Sequence, residues 1–357
     1  MLNWPFTSIV VPVFNAGDTI EALLQSLLTL NYPRERYEII VVDNNSQDDT
    51  PQRVQHYPVR LLYEPDIQSS YAARNRGISA AEGDVIAFTD ADCVAHPDWL
   101  CNLLADHQDE HWAGFAGGFE AYQPGTDVQR HMAKTDASCF TPEFMHQPFL
   151  APQSKGELIC SRFRFLDYRA DIPLPLNLLN PPTANVAYRR QIFDQIGYFD
   201  ARLTSGGDLD FAWRVQMRTE RQIKLVPEAI IYHRHRRDLP GMARQYRKNG
   251  WGYGLQALHQ ASEYGSDPYR IARQMGIESL ILISLSIPRH TLDFSFRLLR
   301  ALFHRPIDPL YMKTPIYTMV GTVNFYYGRL TAARKGNKSL FQESPFGLPA
   351  RPPGKPP

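Results

Sequence analysis

The sequence is poor in cysteine. Its 357 residues hold four, Cys93, Cys101, Cys139 and Cys160, and none stand at C-x-x-C spacing. That argues against a disulfide framework or a thiolate zinc site and fits reduced thiols in a cytosolic setting. Two glycine motifs are also missing. Without G-x-G-x-x-G or G-x-x-x-x-G-K-[ST], neither a dinucleotide-binding Rossmann site nor a P-loop is expected. Long apolar runs are absent too. "SLILISLSI" (279–287) and "TPIYTMVGTVNFYYG" (314–328) fall short of the roughly 20 residues a bilayer span needs. The opening "MLNWPFTSIVVPVF" lacks a basic start and a small-residue cleavage site, so no secretory signal is expected. No internal repeat is visible.

What is present is a foldable composition, 43% hydrophobic and 21% charged, long enough for a sizeable core plus additions. The net charge of +1 conceals an asymmetry. Residues 1–230 carry 19 Lys and Arg against 30 Asp and Glu, a net of −11, whereas residues 231–357 carry 19 against 7, a net of +12. A cationic last third suits an anionic partner, either a lipid surface or a diphosphate-bearing substrate; mutual attraction of the two parts is the plainer reading. No motif supports nucleic-acid binding.

Strand-like and helix-like segments alternate. "TSIVVPVF" (7–14), "YEIIVVD" (37–43), "VRLLYE" (59–64) and "VIAFT" (85–89) are apolar or β-branched. Between them, "GDTIEALLQSLLTL" repeats apolar residues at helical spacing, "SQDDTPQRVQHY" starts like a capped helix with Pro51 in its first turn, and "SSYAARNRGISAA" reads as a third helix. Continuous apolar strands separated by helices predict an α/β fold, a mostly parallel sheet with helices on both faces. Further on, 96–109 is expected to be helical, 141–182 loop-rich, and 223–237 a set of short strands. The organisation expected is a catalytic unit over 1–240, a basic, amphipathic helical extension over 241–340, and a Pro-rich disordered tail over 341–357.

Ligands of parallel sheets sit at the carboxyl ends of the strands. Two strands end there in acids: Asp43, and the pair Asp90 and Asp92. Two hard oxygen ligands at i, i+2 suit Mg2+ or Mn2+, which take one or two carboxylates and complete their shell with water and phosphate. Asp43, with Asn44, Asn45 and Ser46, fits a ribose or base contact, and fits equally a turn before the next helix. "GGDLDFAWR" (206–214) places Asp208 and Asp210 at a helix start. Carboxylates there serve as caps favoured by the dipole, or as a general base. "YHRHRR" (232–237) offers His233 and His235 as metal ligands and Arg236 or Arg237 for phosphate.

Taken together, "VVPVFNAGDTIEALLQSLLTLNYPRERYEIIVVDNNSQDDT", "SYAARNRGISAAEGDVIAFTDADC" and "GGDLDFAWRVQ" resemble the family 2 glycosyltransferases of GT-A fold over roughly residues 5–240. The resemblance implies an inverting sugar transferase using a nucleoside-diphosphate sugar and a divalent metal. It implies that Pro12, Phe14 and Asn15 line the nucleotide pocket and that Asp43 holds the uracil or ribose end. Arg74 and Asn75 would lie near the sugar nucleotide. Asp90 and Asp92 would contact ribose and metal, with His233, which follows the strand "AIIY", as a third ligand. Asp208 would be the base, with Gly207, Asp210, Arg214 and Arg236 near acceptor or phosphate. One departure stands out: Gly207 precedes Asp208 where many members have Glu.

The expected activity is transfer to a hydroxyl of a glycan or lipid-linked acceptor in polysaccharide, glycolipid or envelope synthesis. The setting expected is cytoplasmic, with peripheral contact on the inner face of the membrane through the basic last third. Two rivals share the residues. One is a non-catalytic nucleotide-sugar-binding or scaffold protein. The other, a sugar nucleotidylyltransferase, would need a basic glycine-rich loop after the first strand, where "PVFNAGDT" has no Lys or Arg.

Overall fold

The structure, a computed structural model, describes residues 4–139, 178–203, 205–263, 267–303 and 308–339. Most of the expected loop at 141–182 and all of the Pro-rich tail fall outside them. Strand β1 (Thr7–Val13) is buried at every residue. It pairs in parallel with β2 (Tyr37–Asp43) and with β4 (Val85–Thr89), and β3 (Arg60–Tyr63) adds to β2. Helices α1 (Ile20–Leu28), α2 (Thr50–Val54) and α3 (Ser70–Ala80) make the crossovers. Successive strand side chains point to opposite faces, so a run such as Ile9-Val10-Val11 must be covered twice. Ile9 and Val11 join Leu23, Leu24 and Leu27 of α1 in one core, and Val10 joins Ile78 of α3 in the other.

The second half mixes directions. After β5 (Cys93–Ala95), α4 (Trp99–Leu103), β6 (Trp112–Ala121) and α5 (Asp127–Cys139) come β7 (Asn185–Arg189), α6 (Arg190–Ile196), α7 (Gly207–Arg218) and β8 (Gln222–His233). The eight strands lie in the order β3-β2-β1-β4-β7-β6-β8-β5. β7 is antiparallel to β4 and β6, β8 is parallel to β6, and β5 is antiparallel to β8. Two expectations change here. The helix expected over 96–109 is only α4, because the chain turns after Leu103 and His107 Nδ1 lies 2.8 Å from the Leu104 carbonyl oxygen. The short strands expected over 223–237 are one strand, bulged against β6 between Gly117 and Gly118. A Cβ on Gly118 would stand 2.3 Å from the Pro227 carbonyl oxygen, so glycine is what lets the bulge pass.

Three long helices follow: α8 (Leu239–Glu263), α9 (Pro268–Phe303) and α10 (Pro309–Ser339). Leu255 of α8 and Ala332 of α10 enter the same core as α3 and α7. The apolar run 279–287 and the basic segment from 294 are parts of α9, which continues through Pro288. By length and composition alone, Tyr269–Leu298 is enough to cross a membrane, and half of its most apolar window is buried inside the protein. The run therefore belongs to a longer element than its own length indicated.

Two buried ion pairs tie the helices. Glu278 and Arg329, both fully buried, join α9 to α10, and the Arg329 guanidinium lies 5.5 Å from the Tyr253 ring centre of α8. Asp210 accepts from Arg214 Nε at 2.8 Å within α7, and His259 Nδ1 of α8 lies 3.3 Å from its other oxygen. Breaking a buried pair strands a charge, at about 3–5 kcal/mol. Glu278→Ala should therefore lower unfolding stability by about that much in denaturant titrations, and a loss below about 1 kcal/mol would contradict the pairing. Burial pushes the Asp210 pKa up, but Arg214 and His259 outweigh it and hold the carboxyl down to about 2. A depressed carboxylate stabilises the fold above its unfolded pKa of about 4 and loses that contribution as pH falls towards 2, here about 2 kcal/mol. Asp210→Asn should destabilise the protein at neutral pH and flatten this acid limb in unfolding curves taken between about pH 4 and 2.

Candidate active site

The β1 ladder with β2 runs to Val13, but its ladder with β4 stops at Val10. The strands part beyond that point, and Pro12, with no N–H to donate, lies past the end of the β4 pairing. A cleft of about 550 Å³ opens there, lined by Pro12, Phe14, Asn15, Asn44, Ser69, Arg74, Asp90, Asp92, Arg236 and Lys248 among others. It lies at the carboxyl ends of parallel strands where their order switches, the place where open α/β sheets take ligands.

The rim is built by the loops after β1 and β2. Phe14 is 50% exposed, leaving an aromatic face free beside the cleft. Asn15 adopts a left-handed φ of 49°, which Asn tolerates better than most residues. There its N–H donates to Ser46 Oγ at 2.9 Å, and its Oδ1 accepts from the Gln47 N–H at 2.7 Å. Asn44 belongs to the polar loop that the sequence placed after Asp43. Its amide donates to the Glu64 and Ile67 carbonyls, each at 2.8 Å, and so fixes the wall. Asp43 is buried behind this loop, not among the cleft-lining residues. Its Oδ2 accepts from the Ser46 N–H at 3.0 Å, and among the described residues its Oδ1 has no hydrogen-bond partner.

The floor is the turn after β4. Asp90 pairs with Arg74, which α3 holds 3% exposed. Asp92 meets His233 Nε2 at 3.6 Å and Arg236 Nη2 at 3.4 Å. The short β5–β8 ladder explains that meeting: it sets Cys93 opposite His233, and the Arg234 N–H donates to the Asp92 carbonyl at 2.9 Å. Burial works against the charge of Asp92, yet His233 and Arg236 hold its pKa down to about 2. Among the described residues no group of three or more His, Cys, Asp and Glu side chains gathers as a metal cage. Of the expected set, His233 lies beside Asp92, while Asp90 is engaged by Arg74. Two anionic carboxylates at i, i+2 still fit a hard divalent cation that fills its remaining positions with water and phosphate oxygens.

Asp208 opens α7. Gly206 before it has φ +82°, and a Cβ on Gly207 would lie 2.8 Å from the Tyr71 ring. That contact explains the glycine where Glu stands in many resembling proteins: the Tyr71 ring fills the space. Asp208 Oδ1 accepts from the Tyr71 hydroxyl at 3.2 Å and from the Leu209 N–H at 3.0 Å. Burial raises its pKa above the usual carboxylate value, with Arg74 pulling the other way.

Besides Asp43, the expected site residues Gly207, Asp208 and His233 stand behind the cleft lining, and Asn75, Asp210 and Arg214 are engaged elsewhere. Both ends of the Asn75 amide are taken by the Phe199 backbone, at 2.8 and 3.1 Å. Asp210 is fully buried in its pair with Arg214, and Arg214 donates on to the Ile196 and Tyr198 carbonyls. Spacing of i, i+4 turned these two charges towards each other inside the protein, away from any acceptor. Conversely, Lys248 of α8 lines the cleft and had no sequence signal. It is exposed overall, but desolvation of its ammonium, with Arg74 and Arg236 nearby, pushes its pKa down against the pull of Asp90 and Asp208.

The sequence profile described as glycosyl transferase family 2 matches residues 8–197. Glycosyltransferase AglE of Haloferax volcanii is 40% identical over 217 residues, 59% of this chain and 61% of that protein. The pre-mycofactocin glycosyltransferase of Mycobacterium tuberculosis is 25% identical over 237 residues, 65% of this chain and 43% of that protein. The chain thus spans about three-fifths of one curated relative and under half of the other. Among solved structures, mannosyltransferase PcManGT from Pyrobaculum calidifontis, in complex with GDP-Man and Mn2+, is similar with a TM-score of 0.54 at 16% identity, over 91% of this chain and 88% of that one. At that identity the likeness is one of fold, and it agrees with the GT-A-type sheet expected from the sequence. With the strands from β2 to β7, all but the first residue of β1 and the Asp90–Asp92 turn inside the matched region, more than half of the chain, this chain belongs to glycosyl transferase family 2.

Proposed function

We propose that the protein transfers a sugar from a nucleoside-diphosphate sugar, a UDP-sugar first among candidates, to an acceptor hydroxyl with inversion. The observation that carries this reading is one cleft holding an acid turn (Asp90, Asp92), exposed basic groups (Arg236, Lys248) and an aromatic rim (Phe14), with a carboxylate of raised pKa (Asp208) beside its buried Arg74. Phe14 and the Asn15–Asn44 rim receive the nucleoside, and Asp43 supports them from behind. Asp90 and Asp92, with His233 behind Asp92, would hold Mg2+ or Mn2+, whose charge supplies neutralisation of the diphosphate. Asp208 takes the acceptor proton. The acceptor oxygen bonds to the anomeric carbon as the bond from that carbon to the diphosphate oxygen breaks, and the electron pair leaves with the diphosphate. Lys248 and Arg236 meet that leaving charge. A glycan or lipid-linked acceptor fits the basic last third.

The test is a donor panel of UDP-, GDP- and TDP-sugars with Mg2+ or Mn2+, followed by nucleoside-diphosphate release and thermal shift. The expected outcome is stabilisation and turnover with one donor. Asp208→Asn should keep the shift and lose at least about 100-fold in rate. Near wild-type transfer by that variant would remove Asp208 as base, and a folded protein that responds to no donor would remove the catalytic reading. Lys248→Met should weaken nucleoside-diphosphate binding, with Lys248→Arg restoring part of it. Because the Asp208 pKa is raised, turnover should fall on the acid side at a pH above the ordinary carboxylate range, and that limb should vanish from the residual rate of Asp208→Asn.

A further inference from the structure

Helix α9 has one face packed against α8 and α10 and another facing outward. The outward face from 280 to 298 carries Leu280, Leu285, Ile287, Leu292, Phe296 and Leu298, each 46–70% exposed. Between them stand only Ser284, Pro288, Arg289, Thr291 and Ser295 as other exposed residues, so the face holds one positive charge and no acid. The nearby acid, Asp293, is bonded to Arg297 at 3.1 Å. An apolar strip roughly 27 Å long at 1.5 Å per residue is more than a soluble surface leaves open without a partner. Its charge setting selects that partner: Arg273 and Arg289 are exposed on α9, and residues 231–357 carry a net of +12.

We infer that this face of α9 is a docking surface for an anionic lipid bilayer, with the helix lying in the plane of the interface. Its apolar side chains enter the headgroup–acyl boundary, and its arginines meet lipid phosphates. Half of the most apolar window is buried against the protein's own helices, which fits a helix lying on the surface with one side packed on the protein. The inference does not depend on the chemistry of the cleft.

The experiment is co-sedimentation of the full chain with vesicles of zwitterionic lipid and with vesicles that include an anionic lipid. The comparison is with Leu292→Glu/Phe296→Glu and with Arg273→Glu/Arg289→Glu. All four side chains are exposed, so far-UV circular dichroism and thermal unfolding should match wild type. Wild type is expected to bind the anionic vesicles at least about tenfold more tightly than the neutral ones, in a salt-dependent manner. Both double variants should lose most of that binding. Binding unchanged in Leu292→Glu/Phe296→Glu would overturn the proposal. So would a wild-type dimer that ignores vesicles and is split by that variant, which would make the face a contact with a second copy. A monomer that binds no vesicles would overturn it too, leaving the face covered by the chain's own segments.

Discussion

Arg74 reaches Asp90 from helix α3 while its guanidinium lies 5.4 Å from the centre of the Tyr71 ring. The sheet edge brings the acid turn after β4 and the start of α7 towards this one place, where the Arg74 guanidinium ion-pairs with Asp90 and opposes the burial that raises the Asp208 pKa. The position of Arg74 is set by packing. A Cβ at Gly77, one turn further along α3, would stand 2.4 Å from Val10 Cγ1. Only a glycine there lets α3 lie close enough to β1 for Arg74 to reach the floor of the cleft.

The C-terminal helices bear on the cleft through packing as well. A Cβ on Gly206 would stand 2.9 Å from the Gly252 carbonyl oxygen, so the left-handed turn before Asp208 is pressed against α8. Residues four and seven apart share a helix face. Lys248, Gly252 and His259 are spaced in that way: the first enters the cleft, the second supports the turn before Asp208, and the third pairs with Asp210. One face of α8 therefore supplies a wall charge, a backbone contact and an ion-pair partner. Loosening α8 would be felt at Asp208 without any change in the sheet.

The sheet was legible because β-branched runs have few alternatives, and the acids at strand ends were legible because a buried strand rarely stops in unpaired carboxylates. Helix lengths were less so. Whether a polar stretch such as 104–109 stays helical is decided by tertiary partners, and a proline at 288 does not mark an end when the helix around it is held by packing. Residue roles divided in the same way. Asp208 and Asp210 look alike in "GGDLDF", but only the second has an arginine four residues on, and that pair turned inward. Asn75 follows Arg74 directly, yet one points to the cleft and the other to Phe199, a difference of about 100° around the helix that a motif does not express. Lys248 stands 158 residues beyond Asp90, and no local pattern announces such a meeting.

The two arginines at the acid turn have opposite character. The Arg74–Asp90 pair joins a guanidinium only 3% exposed to a carboxylate 35% exposed, so it is loss of Asp90 that would leave a buried charge without its carboxylate. The Arg236–Asp92 pair is 3.4 Å apart, with the arginine side chain 49% exposed. A pair of that kind is worth about 1 kcal/mol or less and is screened by salt. Arg74 is therefore part of the scaffold, and Arg236 is a charge the cleft can redirect at little cost. Asp92, ionised down to about pH 2, stays an anion whether or not Arg236 is in place, because His233 is fixed beside it by the β5–β8 ladder. At the acid turn, then, Arg236 is the side chain whose contact is cheapest to exchange, while the buried Arg74 stays where folding put it.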